Sequence, residues 1–134
     1  MATRTLLQDD ALDPRAQAVF DDIRATRGSD FVNNFWRALA HDPDTLEALW
    51  SRLKTVMAPG ALDPVVKEML YVAVSTANGC SYCIHSHTAA AKARGMTEAQ
   101  HDELIAVIGM AMMTNGLVTA LQVPVDPAFK ASEG

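Results

Sequence analysis

The stretch KEMLYVAVSTANGCSYCIHSH, from Lys67 to His87, decides how this chain folds. Its first half is apolar on nearly every side, which is typical of a buried helix. Asn78-Gly79 then breaks the apolar pattern, and a Cys80-x-x-Cys83 pair opens a second helical segment directly after the break. Helices joined by so short a connection run antiparallel, so the stretch predicts a central helix hairpin that carries the cysteine pair near its turn.

Both cysteines lie in the first turn of the predicted second helix, where a thiolate forms most easily. Unpaired backbone N–H groups and the positive end of the helix dipole favour a negative sulfur there. Two thiols one turn apart can also close a disulfide, so one thiol can resolve the other after oxidation. His87 follows Cys83 by four residues on the same helical face, where its imidazole can exchange a proton with the thiol directly or through one water.

Glu68 is an acidic residue at the border of the apolar stretch of the first helix. A carboxylate in that position is costly unless a partner compensates its charge. Counted from the turn at about 1.5 Å per residue, Glu68 lies roughly 15 Å back along one helix and His87 roughly 12 Å along the other. The two side chains therefore reach similar depth, and we expect a Glu68–His87–Cys83 proton relay with Cys80 nearer the mouth of the site.

Helix-start and helix-stop signals account for the rest of the chain. Each of three Asp-Pro pairs predicts a helix start, because Asp caps free N–H groups and Pro presets φ in the first turn. Thr97 with Gln100 forms a capping box before a last long helix, which we expect to break at Gly116. No strand signal occurs, so the predicted fold class is all-α. The predicted helices cover about 14–27, 31–40, 43–57, 64–77, 80–95 and 97–115, with a continuation over 117–121 and an extended tail from Val123.

The composition describes a small domain that is unusually rich in apolar residues. The chain has 134 residues, of which 49% are apolar, whereas small domains have much surface relative to their volume. We therefore expect a single domain over 1–134 that buries part of its apolar surface between copies of itself.

The charge balance is acidic, with 11 Lys and Arg against 16 Asp and Glu and a net charge of −5. With no run of Lys or Arg, this balance argues against binding to nucleic acid or to an anionic membrane. The first residues lack the apolar core of a signal peptide, and the longest apolar run, Met69 to Val74, is too short to cross a bilayer. We therefore expect a cytoplasmic protein, in which two cysteines are more often redox-active or metal-binding than a permanent disulfide.

The spacing E-x11-C-x2-C-x3-H, over Glu68, Cys80, Cys83 and His87, resembles that of the AhpD-like alkylhydroperoxidases of the carboxymuconolactone decarboxylase superfamily. The similarity is continuous over about 31–121, which would be the core of the domain, with 123–134 as a tail. The resemblance implies an AhpD-like helical bundle, a homotrimer or homohexamer, and reduction of a small hydroperoxide. By position, Cys83 would be the peroxidatic thiol and Cys80 the resolving thiol, with Glu68 and His87 as the proton relay. A dithiol or lipoyl-type reductant protein would restore the thiols, without a bound metal or organic cofactor.

Other hypotheses remain open on the sequence alone. The chain could be a non-enzymatic redox-sensing or partner-binding module, or a carboxymuconolactone-type decarboxylase or related lactone enzyme that uses Glu68 and His87 without thiol chemistry. A structural zinc site from the two cysteines, His87 and either His85 or Glu68 is a further alternative, although such sites usually draw a second ligand pair from elsewhere. Tyr82, where AhpD enzymes often carry a His, is a candidate accessory residue that donates a hydrogen bond near the thiols.

Overall fold

The structure is a computed structural model, and it describes residues 1–130. Within these residues it contains six α-helices and two short 3-10 turns, Asp9–Ala11 and Pro127–Phe129, and no strand. The predicted all-α class is therefore confirmed. The helices are α1 (Pro14–Arg27), α2 (Asn34–Leu39), α3 (Pro43–Met57), α4 (Pro64–Ala77), α5 (Ser81–Ala93) and α6 (Glu98–Leu121).

The three Asp-Pro pairs begin helices as predicted. The carboxylates of Asp13, Asp42 and Asp63 each accept a hydrogen bond from a backbone N–H of the first turn of α1, α3 and α4, respectively. The proline that follows each Asp occupies a position where no N–H is needed. Gly28, with φ at +62°, ends α1 in the left-handed conformation that glycine adopts without strain.

The chain divides into two compact units, Met1–Ala58 and a second one that begins at Pro59. The first unit contains α1, α2 and α3, packed around a hydrophobic cluster. Two tryptophans in this cluster, Trp36 and Trp50, meet edge to face with their ring centroids 5.5 Å apart, an arrangement that aromatic rings favour. The largest fully buried side chains are Trp36, Phe20, Ile23 and Leu46.

The second unit contains α4, α5 and α6, with α4 and α5 packed as the predicted antiparallel hairpin and α6 against α4. The turn uses Asn78, the C-cap that follows α4, and Gly79 at φ +70°, a conformation that glycine reaches without steric cost. The N–H of Cys80 then donates to the carbonyl of Ser75 at 2.9 Å. This tight connection places the start of α5 beside the end of α4.

Three predicted boundaries differ from the structure. The second helix is shorter than predicted, because Asn33 has the extended conformation of an N-cap and α2 begins at Asn34. The predicted break at Gly116 is wrong, since α6 continues through it to Leu121. One glycine costs a helix only about 1 kcal/mol relative to alanine, which continued backbone hydrogen bonding outweighs. The tail from Val123 is extended only up to a 3-10 turn at Pro127–Phe129, and its residues 131–134 lie outside the described residues.

The prediction that α4 is a buried helix holds for only one of its faces in the single chain. Its buried residues are Glu68, Val72 and Ser75, which lie on one face. A stripe of apolar residues four positions apart stays exposed in the single chain, and its members are Val66, Leu70 and Val74. An apolar pattern cannot tell burial within the chain from burial against another chain.

Helix α6 is apolar and mostly exposed in the single chain, with His101, Leu104 and Ile108 partly buried. None of its residues is fully buried, and by length and composition alone it is long and apolar enough to cross a membrane. The criterion of an unbroken apolar run missed this helix because Gly109 and the polar residues Thr114 and Asn115 interrupt the run. One such helix is a weak indication of a membrane protein, because helices of soluble proteins pass the same test.

Candidate active site

The two cysteines occupy the start of α5, as the sequence predicts. Cys80 is the N-cap, and its Sγ accepts a hydrogen bond from the backbone N–H of Cys83 at 3.3 Å. The two residues are joined by a disulfide, with their Cα atoms 5.3 Å apart. The N–H groups of a helix start stabilise negative charge on a nearby sulfur, and here that support is directed at Cys80.

Glu68 and His87 meet across the hairpin. His87 Nδ1 lies 2.7 Å from Glu68 Oε2, and the Glu68 and His87 side chains are 6% and 20% exposed. The carboxylate accepts, so Nδ1 carries the hydrogen and Nε2 is the nitrogen left for proton exchange. The hairpin therefore brings the acid and the imidazole to the same depth, as the helical spacing predicts. His87 also lies one turn beyond Cys83 on α5.

Tyr71 is a site residue that the sequence reasoning missed. Its ring stacks on the His87 imidazole with centroids 3.7 Å apart and planes inclined by 18°. The residue follows Glu68 by three positions, so both project from the same face of α4. That spacing is the signal by which Tyr71 could have been found.

Arg94 is a second residue that the sequence reasoning missed. Its Nε lies 3.5 Å from Glu68 Oε1, the carboxylate oxygen that His87 does not use. Arg94 follows His87 by seven positions, which is close to two helical turns and places both on one face of α5. The buried carboxylate therefore contacts one titratable ring and one permanent cation.

Tyr82 and His85 are two exposed side chains of α5. Tyr82, between the two cysteines, is 44% exposed. His85 is exposed as well, and its Nδ1 donates to the carbonyl of Ser81 at 2.8 Å. Within residues 1–130, no three His, Cys, Asp or Glu side chains are grouped so that they could hold a metal ion.

The two helices of the hairpin carry the disulfide-linked cysteine pair and the contact between Glu68 and His87. The family model described as the carboxymuconolactone decarboxylase family matches residues 43–126, a span that contains Glu68, Cys80, Cys83 and His87. The chain belongs to this family. The predicted resemblance is thereby confirmed at the level of the family.

A solved structure shows which proteins of the family this chain resembles. The crystal structure of the alkylhydroperoxidase AhpD core from Rhodospirillum rubrum is 65% identical in sequence and superposes with a TM-score of 0.93. The match covers 96% of this chain and 97% of that chain. The AhpD-like helical fold is therefore confirmed.

Two curated relatives match shorter segments. Alkyl hydroperoxide reductase AhpD from Solibacter usitatus is 35% identical over 81 residues, which are 60% of this chain and 44% of that protein. Uncharacterized protein 4 in the cox locus of Paracoccus denitrificans is 36% identical over 84 residues, or 63% of this chain and 73% of that protein. The chain thus matches less than half the length of the AhpD relative.

Proposed function

We propose that this carboxymuconolactone decarboxylase family member is a thiol-dependent peroxidase of the alkylhydroperoxide reductase type, or a disulfide reductase that uses the same dithiol. The observation that carries the proposal is the 2.7 Å contact between Glu68 and His87, one helical turn from Cys83. A buried acid–imidazole pair beside a redox-active dithiol is equipped to move protons during thiol chemistry. The AhpD relatives support this chemistry at the level of the family.

In the proposed reaction, the Cys83 thiolate attacks one oxygen of a hydroperoxide and the O–O bond breaks. The leaving alkoxide takes a proton from the protonated His87 ring and departs as an alcohol, while Cys83 becomes a sulfenic acid. Cys80 then attacks the Cys83 sulfur, water leaves, and the disulfide forms. An external dithiol returns two electrons and two protons, so that one hydroperoxide is reduced for each dithiol oxidised.

The two cysteines would have different roles because their surroundings differ. Cys83 is the thiol next to His87 along α5, which favours it as the nucleophile that attacks peroxide. Cys80 receives the backbone N–H at the helix start, which makes it the better leaving thiolate when a donor attacks the disulfide at Cys83. Tyr82, exposed between them, would donate a hydrogen bond near the thiols.

The remaining features of the proposal concern partners and assembly. We propose a soluble cytoplasmic homotrimer or homohexamer that works with a dithiol or lipoyl-type reductant protein and needs no bound metal or organic cofactor. The exposed apolar stripe of α4 and the exposed α6 support the assembly, because large apolar patches are rare on monomers. We propose that it binds neither a membrane nor a nucleic acid.

The test is a turnover assay of hydroperoxide consumption with several dithiol donors, including dihydrolipoamide. The proposal predicts multiple turnovers in the wild type and none in Cys83→Ser. Oxidation by a single equivalent of hydroperoxide, with no turnover from any donor, would favour a redox-sensing module instead. Decarboxylation of a lactone substrate by a Cys80→Ser/Cys83→Ser double variant would favour the decarboxylase hypothesis.

A further inference from the structure

Arg94 is the second partner of the buried Glu68 carboxylate. Its Nε lies 3.5 Å from Oε1, while His87 Nδ1 occupies Oε2 at 2.7 Å. The Glu68 side chain is 6% exposed, whereas that of Arg94 reaches water and is 44% exposed. The carboxylate therefore lies between a ring that gains and loses a proton and a guanidinium that remains charged throughout the physiological pH range.

The end of α5 holds Arg94 in this place. Arg94 is the C-cap, and its backbone N–H donates to the carbonyls of Ala90 and Ala91. Gly95 follows at φ +103° and turns the chain away from the helix axis. The backbone of Arg94 is thus fixed by α5, and only its side chain has to reach across to α4.

The charge of Glu68 has to be compensated at every stage of the proposed reaction. A carboxylate with so little exposure is costly unless positive charge lies next to it. The His87 ring provides that charge only while it is protonated. When the ring has given up its proton, the guanidinium of Arg94 still lies at ion-pair distance.

We propose that Arg94 is a positioning residue of the Glu68–His87 pair, whose permanent charge balances Glu68 whenever the His87 ring is neutral. The ring can then release its proton and keep its carboxylate partner. Without Arg94, a neutral ring would leave a buried carboxylate poorly compensated, so the ring would hold its proton to higher pH. The role in catalysis rests on the proposed function, whereas the effect on the ring does not.

Two helices of the described chain contribute the side chains that are seen to contact the pair or that lie one turn from it. Helix α4 contributes Glu68 itself and the stacked Tyr71, and α5 contributes Arg94 and the cysteine pair. The first acidic residue of α6, Glu98, instead accepts a hydrogen bond from Lys92, which lies at 2.8 Å and lowers the pKa of Glu98. Lys92 and Arg94 are two cations near the same end of α5. Lys92 pairs with Glu98, whereas Arg94 pairs with Glu68.

The test follows the His87 ring by NMR of the full chain labelled with 15N-histidine. The protein is kept in its disulfide form, so that no thiol titrates. Arg94→Gln should raise the pH at which the ring loses its proton by on the order of one pH unit, or tenfold in proton affinity. Arg94→Lys, which keeps the charge, should stay close to the wild type, and the matched control Lys92→Gln should leave the ring unchanged.

Three results would overturn the proposal. One is an Arg94→Gln titration that superposes on the wild type, and another is an equal shift in Lys92→Gln. The third is a full Arg94→Gln effect in a Glu68→Gln background, because Arg94 would then act on the ring without Glu68. Arg94→Met serves as the chargeless variant if Arg94→Gln does not fold. The NMR titration uses no peroxide. A lack of peroxidase turnover would therefore contradict the proposed function but would leave the role of Arg94 at the His87 ring unaffected.

Discussion

Replacing Glu68 with Gln tests the proton relay with the smallest change in shape. The substitution removes the charge of a side chain that is 6% exposed and accepts the 2.7 Å hydrogen bond from His87. A hydrogen bond to a charged group contributes about 1.5–3 kcal/mol. At about 1.4 kcal/mol for each factor of ten, the population of Cys83 thiolate paired with protonated His87 should fall roughly 10- to 150-fold.

The assay is the rate of alkylation of Cys83 at neutral pH, measured on the reduced protein in a Cys80→Ser background. Glu98→Gln is the matched control, because Glu98 is an exposed carboxylate paired with Lys92. Adding His87→Ala to Glu68→Gln should cost little beyond the worse single change, since residues that act as a unit are not additive. Alkylation of Glu68→Gln at the wild-type rate, or fully additive losses, would refute the relay.

Three further predictions concern the ring, the first unit and the assembly. Tyr71→Leu should slow peroxide reduction by about two- to tenfold, because ring stacking contributes about 0.5–1.5 kcal/mol; an unchanged kcat/KM would refute this. Hydrogen bonds from Lys54 and Trp50 lower the pKa of Asp22 below its usual 3.8, so its contribution is complete above that pH and is lost as the pH falls through the folded-state pKa. Calorimetry should show a smaller loss of Tm below about pH 4 in Asp22→Asn than in the wild type, and equal losses would contradict it. Light scattering should find a homotrimer or homohexamer that deletion from Val123 onward weakens, whereas a monodisperse 14.4 kDa protomer would exclude it.

Helix starts were predictable because their causes are local. An Asp that caps and a Pro that follows it act within one turn, and the first residues of α1, α3 and α4 follow from that chemistry. The break expected at Gly116 failed because a weak local preference competes with the hydrogen bonding of a long helix. The start of α2, expected at 31 and found at Asn34, was misplaced where no Asp-Pro pair marks it.

The acid and the imidazole of the site were predictable because a short hairpin fixes depth along both helices. Equal depth, with both side chains on the facing sides of the helices, brings Glu68 beside His87. Spacing places Tyr71 on the face of Glu68 and Arg94 on the face of His87, but their contacts depend also on how α4 and α5 are rotated about their axes. Depth along the helices does not specify that rotation. The exposed stripe of α4 was missed for a related reason, because an apolar pattern does not say which chain will cover it.

The most direct test of the proposed function is to trap the oxidised sulfur. Cys80→Ser treated with one equivalent of hydroperoxide should accumulate a sulfenic acid on Cys83, which a dimedone-type probe labels and mass spectrometry locates. The alternative is that Cys80 attacks the peroxide, because the backbone N–H of Cys83 donates to its sulfur and would stabilise a thiolate there. Labelling of Cys80 in Cys83→Ser, with none on Cys83 in Cys80→Ser, would contradict the account.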